Sequence, residues 1–268
     1  MMKPWKKLLA VALVGVMAVA AGCGAVAEKT DSSSSSSSAG QAKKFVIACD
    51  AKYAPFSMEE NGKYKGIDVE LLDAIAKEEG IDYELKPMDF SGIIPALVSD
   101  QIDGAIAGMN ITDERKQKVD FSDGYIQSGL AVVVNKDNTS INKVEDLKGK
   151  TAAVKKGTTG AKFAEDNKDK YGLTINYYDD SPSMMLAVAN GNADFLMEDY
   201  PVINYQIKIG EQAKLRIAVD SVIDPPSYGF AVKKGANAEL LKKFNEGLKK
   251  IKENGTYDKI VGQYISKK

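Results

Sequence analysis

No histidine occurs anywhere in the 268 residues. That absence excludes serine–histidine triads, histidine general bases and most zinc centres at once. Cysteine is scarce as well, with only Cys23 and Cys49 present. Cys49 ends Phe45-Val-Ile-Ala-Cys49, an apolar run with the pattern of a buried strand, and its sole intrachain partner would be Cys23. A structural disulfide is therefore not expected. Charge of either sign is not in excess: 36 Lys+Arg stand against 37 Asp+Glu, a formal net charge of −1. Such a balance points neither to nucleic acid nor to disorder, and no nucleic-acid partner is expected. No metal site, cofactor or catalytic residue is expected either. A bilayer-spanning run is also missing. The longest apolar stretch, Leu8 to Ala21, falls short of the roughly 20 residues a spanning helix needs.

What that short run does match is an export signal. Lys3, Lys6 and Lys7 precede it and Gly22-Cys23 follow it. Ala20-Ala21-Gly22-Cys23 resembles a lipobox, in which the cysteine is acylated and becomes the mature N-terminus; Ala20 stands where leucine is usual. The alternative is a plain secretory signal cleaved at an Ala-x-Ala-like site. The serine run Ser32–Ser38 then reads as a flexible, solvated tether. The expected order is a signal peptide over 1–22, a lipidated cysteine and tether over 23–42, and a folded body from 43. The expected location is the outer face of the cell membrane.

The length allows one large domain or two small ones. From Lys44 onward, strand and helix patterns alternate. Phe45–Cys49 predicts a strand, Ile67, Leu71, Leu72 and Ile75 a helix closed by Gly80, Tyr83–Leu85 a strand, and Ile93–Val98 a short helix. A second alternating set runs from Leu130–Val134 through Thr151–Val154, Thr158–Asp166, Thr174–Tyr178, a helix begun by Ser181-Pro182, Ala193–Met197 and Val202–Ile207. A last strand is predicted over Tyr228–Val232. Leu240, Leu241, Phe244, Leu248 and Ile251 follow along one face of a long helix ending at Gly255. Two small α/β lobes with helix-covered sheets fit this order better than one sheet.

One stretch concentrates polar chemistry. Asp103-Gly-Ala-Ile-Ala107 reads as a short buried strand, and Gly108-Met-Asn-Ile-Thr-Asp-Glu-Arg115 follows it. Thr112 can cap a helix whose first turn carries Asp113 and Glu114 near the positive dipole end. Free carbonyls, free N–H groups and the Arg115 guanidinium then meet at one strand edge, where an α-amino and α-carboxylate pair can be bound. The plainer alternative is an ordinary strand-to-helix turn with a surface arginine.

Across 43–268 the residues resemble the bacterial extracellular solute-binding proteins of polar amino-acid ABC transporters. The resemblance is carried by Asp50-Ala-Lys-Tyr-Ala-Pro-Phe56, Gly66-Ile-Asp-Val-Glu70, Asp89-Phe-Ser-Gly-Ile-Ile-Pro-Ala-Leu97, Gly108 to Tyr125, Lys155-Lys-Gly-Thr-Thr159 and Glu198-Asp199. Glu84–Leu97 and Ile111–Tyr125 look most like glutamine-binding members. The resemblance implies a two-lobed, type II periplasmic-binding-protein-like α/β fold with crossover strands near 125–130 and 222–228. One lobe would comprise 43–128 plus 228–268 and the other 129–227. It implies a monomer that captures a free polar L-amino acid, glutamine favoured, and hands it to an ABC permease from a lipid anchor. Arginine or another polar amino acid is the alternative ligand. An enzyme of the prephenate- or arogenate-dehydratase type is the alternative class, with Glu198 as its candidate general acid.

The same resemblance assigns roles. Arg115 would hold the ligand α-carboxylate through two parallel N–H bonds, helped by backbone N–H groups of Asn110 and Thr159. The Gly108 carbonyl, the Asn110 side chain and the Asp199 carboxylate would take the α-ammonium. Asn110 stands where family members usually carry serine or threonine. Tyr53 and Phe90 would wall the carbon chain. Asp50 and Lys155 would read a side-chain amide, with Glu198 pairing with Lys155; glutamine-binding relatives usually have histidine at the Glu198 position. Asp68 and Glu70 are expected on the solvated face of their helix.

Overall fold

The computed structural model describes residues 43–265. The signal, Cys23 and the serine tether lie outside the described residues. The chain opens with β1 (Phe45–Asp50), a hairpin of β2 (Met58–Glu60) and β3 (Lys63–Lys65), α1 (Ile67–Glu79), β4 (Tyr83–Met88), α2 (Phe90–Val98) and β5 (Gly104–Ala105). Next come α3 (Asp113–Lys116), β6 (Val119–Phe121), β7 (Ile126–Gln127), β8 (Leu130–Asn135), β9 (Thr151–Lys155), α4 (Thr159–Asp166), α5 (Lys168–Tyr171) and β10 (Thr174–Tyr178). The remainder is α6 (Ser181–Ala189), β11 (Phe195–Asp199), α7 (Tyr200–Lys208), β12 (Leu215–Val219), β13 (Ser227–Tyr228), β14 (Ala231–Lys233), α8 (Ala238–Glu253) and α9 (Thr256–Tyr264).

These strands form two five-stranded sheets, ordered β4-β1-β5-β14-β6 and β10-β9-β11-β8-β12. Each has a parallel centre with antiparallel additions: β14 against β5 and β6 in the first, β8 against β11 and β12 in the second. The architecture is thus the expected two-lobed mixed α/β fold. Between the sheets run β7 and β13, which pair antiparallel with Ser227 opposite Gln127 and Tyr228 opposite Ile126. These are the crossovers, and β14 carries the chain back into the first sheet. Helix α8 then lays Leu240, Phe244, Leu248 and Ile251 inward. Its Gly247 lies so close to α1 that a Cβ there would stand 2.8 Å from Ile75.

Several elements differ from the sequence expectation, each for a local reason. Helix α2 begins at Phe90, after an extended Asp89, and not at Ile93. Pro95 therefore falls in the second turn, where it cannot donate to the Ser91 carbonyl. Strand β11 ends at Asp199, beyond the apolar run, because its ladder with β8 continues to the Asp199–Leu130 pair. The β2–β3 hairpin turns on Asn61-Gly62, both with positive φ (53° and 75°), the requirement of a two-residue primed turn. The second helix of the C-terminal pair, α9, starts after Gly255 with φ 79°.

The main correction concerns Asp68. It is fully buried, not solvated. On α1 it shares its face with Leu71, Leu72, Ile75 and Ala76, the spacing of an inward stripe. Gly66, with φ 120° and a notional Cβ only 2.5 Å from the Phe56 carbonyl oxygen, lets the helix start tight against that segment. Ile67 and Asp68 then donate their N–H groups to the Pro55 and Phe56 carbonyls, each at 2.9 Å. Glu70 is only partly exposed and accepts the Tyr264 hydroxyl.

Candidate functional site

The strand ends decide where polar side chains gather. Asp50 closes β1, Lys155 closes β9, and Glu198 and Asp199 close β11. Gly108 and Asn110 follow β5, Phe90 opens α2, and Thr159 opens α4 behind its cap, Thr158. In an open α/β sheet the carboxyl ends of strands border the ligand crevice. Here two such edges face each other. Within the second lobe, a Cβ on Gly160 would stand 2.8 Å from Met197 Cβ, so α4 lies directly on β11 and brings Thr159 to the Asp199 strand end.

The structure brings together all ten residues predicted from sequence. Tyr53, Phe90, Gly108, Asn110, Arg115, Lys155, Thr159, Glu198 and Asp199 line one chamber. Asp50 joins them through a buried ion pair with Lys155. The free volume among them is about that of one water molecule, so a free amino acid requires the two edges to separate.

Asp199 is the hub. Its Oδ2 accepts from the Tyr228 hydroxyl at 2.7 Å, the Tyr53 hydroxyl at 3.0 Å and Asn110 Nδ2 at 3.1 Å. Asn110 Nδ2 also reaches Thr159 Oγ1 at 3.2 Å, while its Oδ1 is buried without a partner. Arg115 is 8% exposed and donates to the Asn110 carbonyl at 2.7 Å and to the Gly157 carbonyl of the opposite edge at 3.0 Å. Carbonyl oxygens neutralise none of its charge. Burial lowers the Arg115 pKa and raises that of Asp199, where the Tyr228, Tyr53, Arg115 and Asn110 contacts oppose the rise.

At the other end of the chamber the Lys155 ammonium sits 4.6 Å from the Tyr53 ring centroid and 5.5 Å from that of Phe90. Its ion pair is with Asp50, whereas the sequence pointed to Glu198; Asp50 at the end of β1 meets Lys155 at the end of β9 across the cleft. Glu198 accepts the Asp199 backbone N–H at 2.9 Å through Oε1, and its Oε2 is buried without a hydrogen bond. Burial, with the charge of Asp199 adding to it and that of Lys155 opposing it, pushes the Glu198 carboxyl up to about 7.

Sequence reasoning missed Tyr228, Gly157 and Ser181, whose buried hydroxyl lies beside the Glu198 carboxyl and opposes the rise of its pKa. The sequence pattern marks Tyr228 only as the start of a strand, although its hydroxyl makes the shortest hydrogen bond to Asp199. Gly157 contributes a carbonyl, which no side-chain pattern advertises. Among the described residues no group of three or more Cys, Asp or Glu is arranged to hold a metal ion, and no helix is long and apolar enough to cross a membrane.

The model of the bacterial extracellular solute-binding proteins, family 3, matches residues 45–267. The chain belongs to this family. A probable amino-acid-binding protein of Bacillus subtilis, YxeM, is 31% identical over 266 residues, covering 99% of this chain and 96% of the relative. The structure of an ancestral arginine-binding protein bound to arginine superposes with a TM-score of 0.78 at 41% identity, over 83% of this chain and 98% of that one. An ancestral arginine-binding protein bound to glutamine gives 0.77 at 40% identity, over 84% and 98%.

The Glu198 carboxyl yields a prediction independent of any ligand. An unfolded glutamate releases its proton near pH 4.3, whereas folded Glu198 holds it to about 7. The folded state binds the extra proton between these values, so stability falls as pH rises through that window. Glu198→Gln removes the fall. Urea unfolding should show the variant gaining on the unaltered protein by on the order of 2 kcal/mol more at pH 8 than at pH 5. An equal difference at both pH values contradicts the assignment.

Proposed function

We propose that the chain captures a free polar L-amino acid, L-glutamine first, and delivers it to an ABC import permease from the outer face of the membrane, held there by an acylated Cys23. One observation carries the reading. A buried guanidinium whose hydrogen bonds go only to carbonyls lies across the chamber from a buried carboxylate served by neutral donors. These two charges, Arg115 and Asp199, match the α-carboxylate and α-ammonium of one zwitterion. The bodies that separate and close are 43–128 with 228–268 and 129–227, turning about β7 and β13. Closure over the ligand gives the permease a distinct state to recognise. The protein works as a monomer without a cofactor.

Charge at the distal end favours an amide. Asp50 and Lys155 neutralise each other, and a Glu198 carboxyl raised to about 7 carries only part of a charge at neutral pH. A carboxamide can donate to Asp50 and accept from Lys155, so no net charge is buried. A cationic side chain faces the Lys155 ammonium, and an anionic one faces two carboxyls. Arginine is the second reading. The unpartnered Glu198 Oε2 is the acceptor that supports it, as does the arginine carried by a similar ancestral protein.

A calorimetric panel of L-amino acids tests this directly. Glutamine should bind tightest, and Arg115→Ala should weaken every ligand in the panel by about 2–5 kcal/mol while leaving the circular dichroism spectrum intact. Arginine or lysine binding tenfold tighter than glutamine overturns the glutamine assignment, and near-normal affinity in Arg115→Ala removes that residue from the site. Anchoring has its own test. Two or more acyl chains give stable attachment, so Cys23→Ser should move the protein to the soluble fraction or leave it unprocessed. A native mature chain that is soluble, unmodified and begins beyond Cys23 would indicate ordinary secretion.

A further inference from the structure

Asp68 is the buried charge that the chamber does not contain. Both of its oxygens are engaged, and neither engages a cation. Oδ2 accepts the Gly108 backbone N–H at 2.7 Å, and Oδ1 accepts the Tyr125 hydroxyl at 2.8 Å. Gly108 belongs to the turn that lines the chamber, with φ 53° and a notional Cβ 2.4 Å from the Tyr53 ring. That turn is therefore held in a left-handed conformation against a wall residue, and its peptide is oriented by Asp68. Tyr125 stands at the entrance to β7, donates its backbone N–H to the Tyr228 carbonyl at 2.9 Å, and packs with its ring 6.1 Å from that of Tyr228. Tyr228 in turn serves Asp199.

We infer that Asp68 is a positioning residue for ligand capture, one carboxylate oxygen fixing the Gly108 turn and the other fixing the crossover at Tyr125. It touches no ligand. It acts by holding the turn and the hinge in one mutual arrangement, and its negative charge favours the arrival of a ligand ammonium beside Gly108. The inference rests on the capture of an amino acid proposed above.

The surroundings give this role a distinctive signature. The titratable groups facing Asp68 are Cys49 and Asp50 of β1 and Tyr125. Burial pushes the Cys49 thiol up to about 12 and Tyr125 well above its ordinary value, so both stay neutral near pH 7. Asp50 is committed to Lys155. Asp68 itself is raised to about 7 by burial, against the pull of its two hydrogen bonds. A ligand that prefers the ionised carboxylate loses affinity as pH falls through that value, and the loss disappears when the group cannot titrate.

The test measures L-glutamine and L-arginine binding by calorimetry from pH 6 to 8 in the full mature chain, in Asp68→Asn and in Tyr125→Phe. Asp68→Asn should bind at least about tenfold more weakly at pH 8. It should also lose the part of the pH dependence that the unaltered protein shows near 7; Glu198 titrates in both and cancels from the comparison. Tyr125→Phe keeps the carboxylate and removes one donor that holds its pKa down, so its affinity should begin to fall at a higher pH. Should Asp68→Asn fail to fold, that upward displacement in Tyr125→Phe alone decides the matter. Equal affinities and superimposable pH profiles across the three proteins overturn the inference while leaving amino-acid capture standing. Failure of the unaltered protein to bind either amino acid overturns the capture reading, and this inference with it.

Discussion

Asp199 brings a carboxylate out of water at the end of a central strand, and the surrounding architecture is organised by the need to satisfy it. A buried charge left unpaired costs several kcal/mol. The donors that meet this one come from three separate places: Tyr53 beyond β1, Asn110 beyond β5, and Tyr228 on the second crossover. No single element could supply them. The facing sheets and the β7–β13 ribbon are what bring them within reach, so satisfying one carboxylate ties the two edges of the cleft together.

Arg115 is the counterpart, and under the proposed function its placement is the source of selectivity. The cation spans the cleft by bonding carbonyls on both edges, which holds the edges together without cancelling its charge. A zwitterion offers both charges what the protein alone does not: a carboxylate for the guanidinium and an ammonium for Asp199. Exchange of internal polar contacts for ligand contacts is therefore favourable for an amino acid and unfavourable for a neutral solute of similar size. At the distal end the Asp50–Lys155 pair already balances itself, so on the proposed reading side-chain choice would depend on small charge differences around Glu198.

Much of this was legible from residue order. Alternating apolar runs mark the two lobes, and the polar turn after Asp103–Ala107 points to Arg115 on residue pattern alone. Legibility stopped where the information is carried by backbone or by packing. The Gly157 carbonyl is invisible to side-chain patterns. The end of β11 at Asp199 depends on the ladder with β8, a contact distant in sequence. Asp68 is a different kind of miss: its spacing with Leu71, Leu72 and Ile75 placed it on the inward stripe, but its charge argued for solvent. The hydrogen bonds from Gly108 and Tyr125 reversed that argument, and neither partner is near it in the chain.

In the proposed capture Arg115 and Asp199 exchange their internal contacts for the two ends of one zwitterion. A crystal structure of the mature protein grown with L-glutamine decides whether they do. The α-carboxylate should lie on the Arg115 guanidinium and the α-ammonium within hydrogen-bond distance of the Asp199 carboxylate. A ligand whose α-groups rest on other residues, with Arg115 still bonded only to the Asn110 and Gly157 carbonyls, would contradict it.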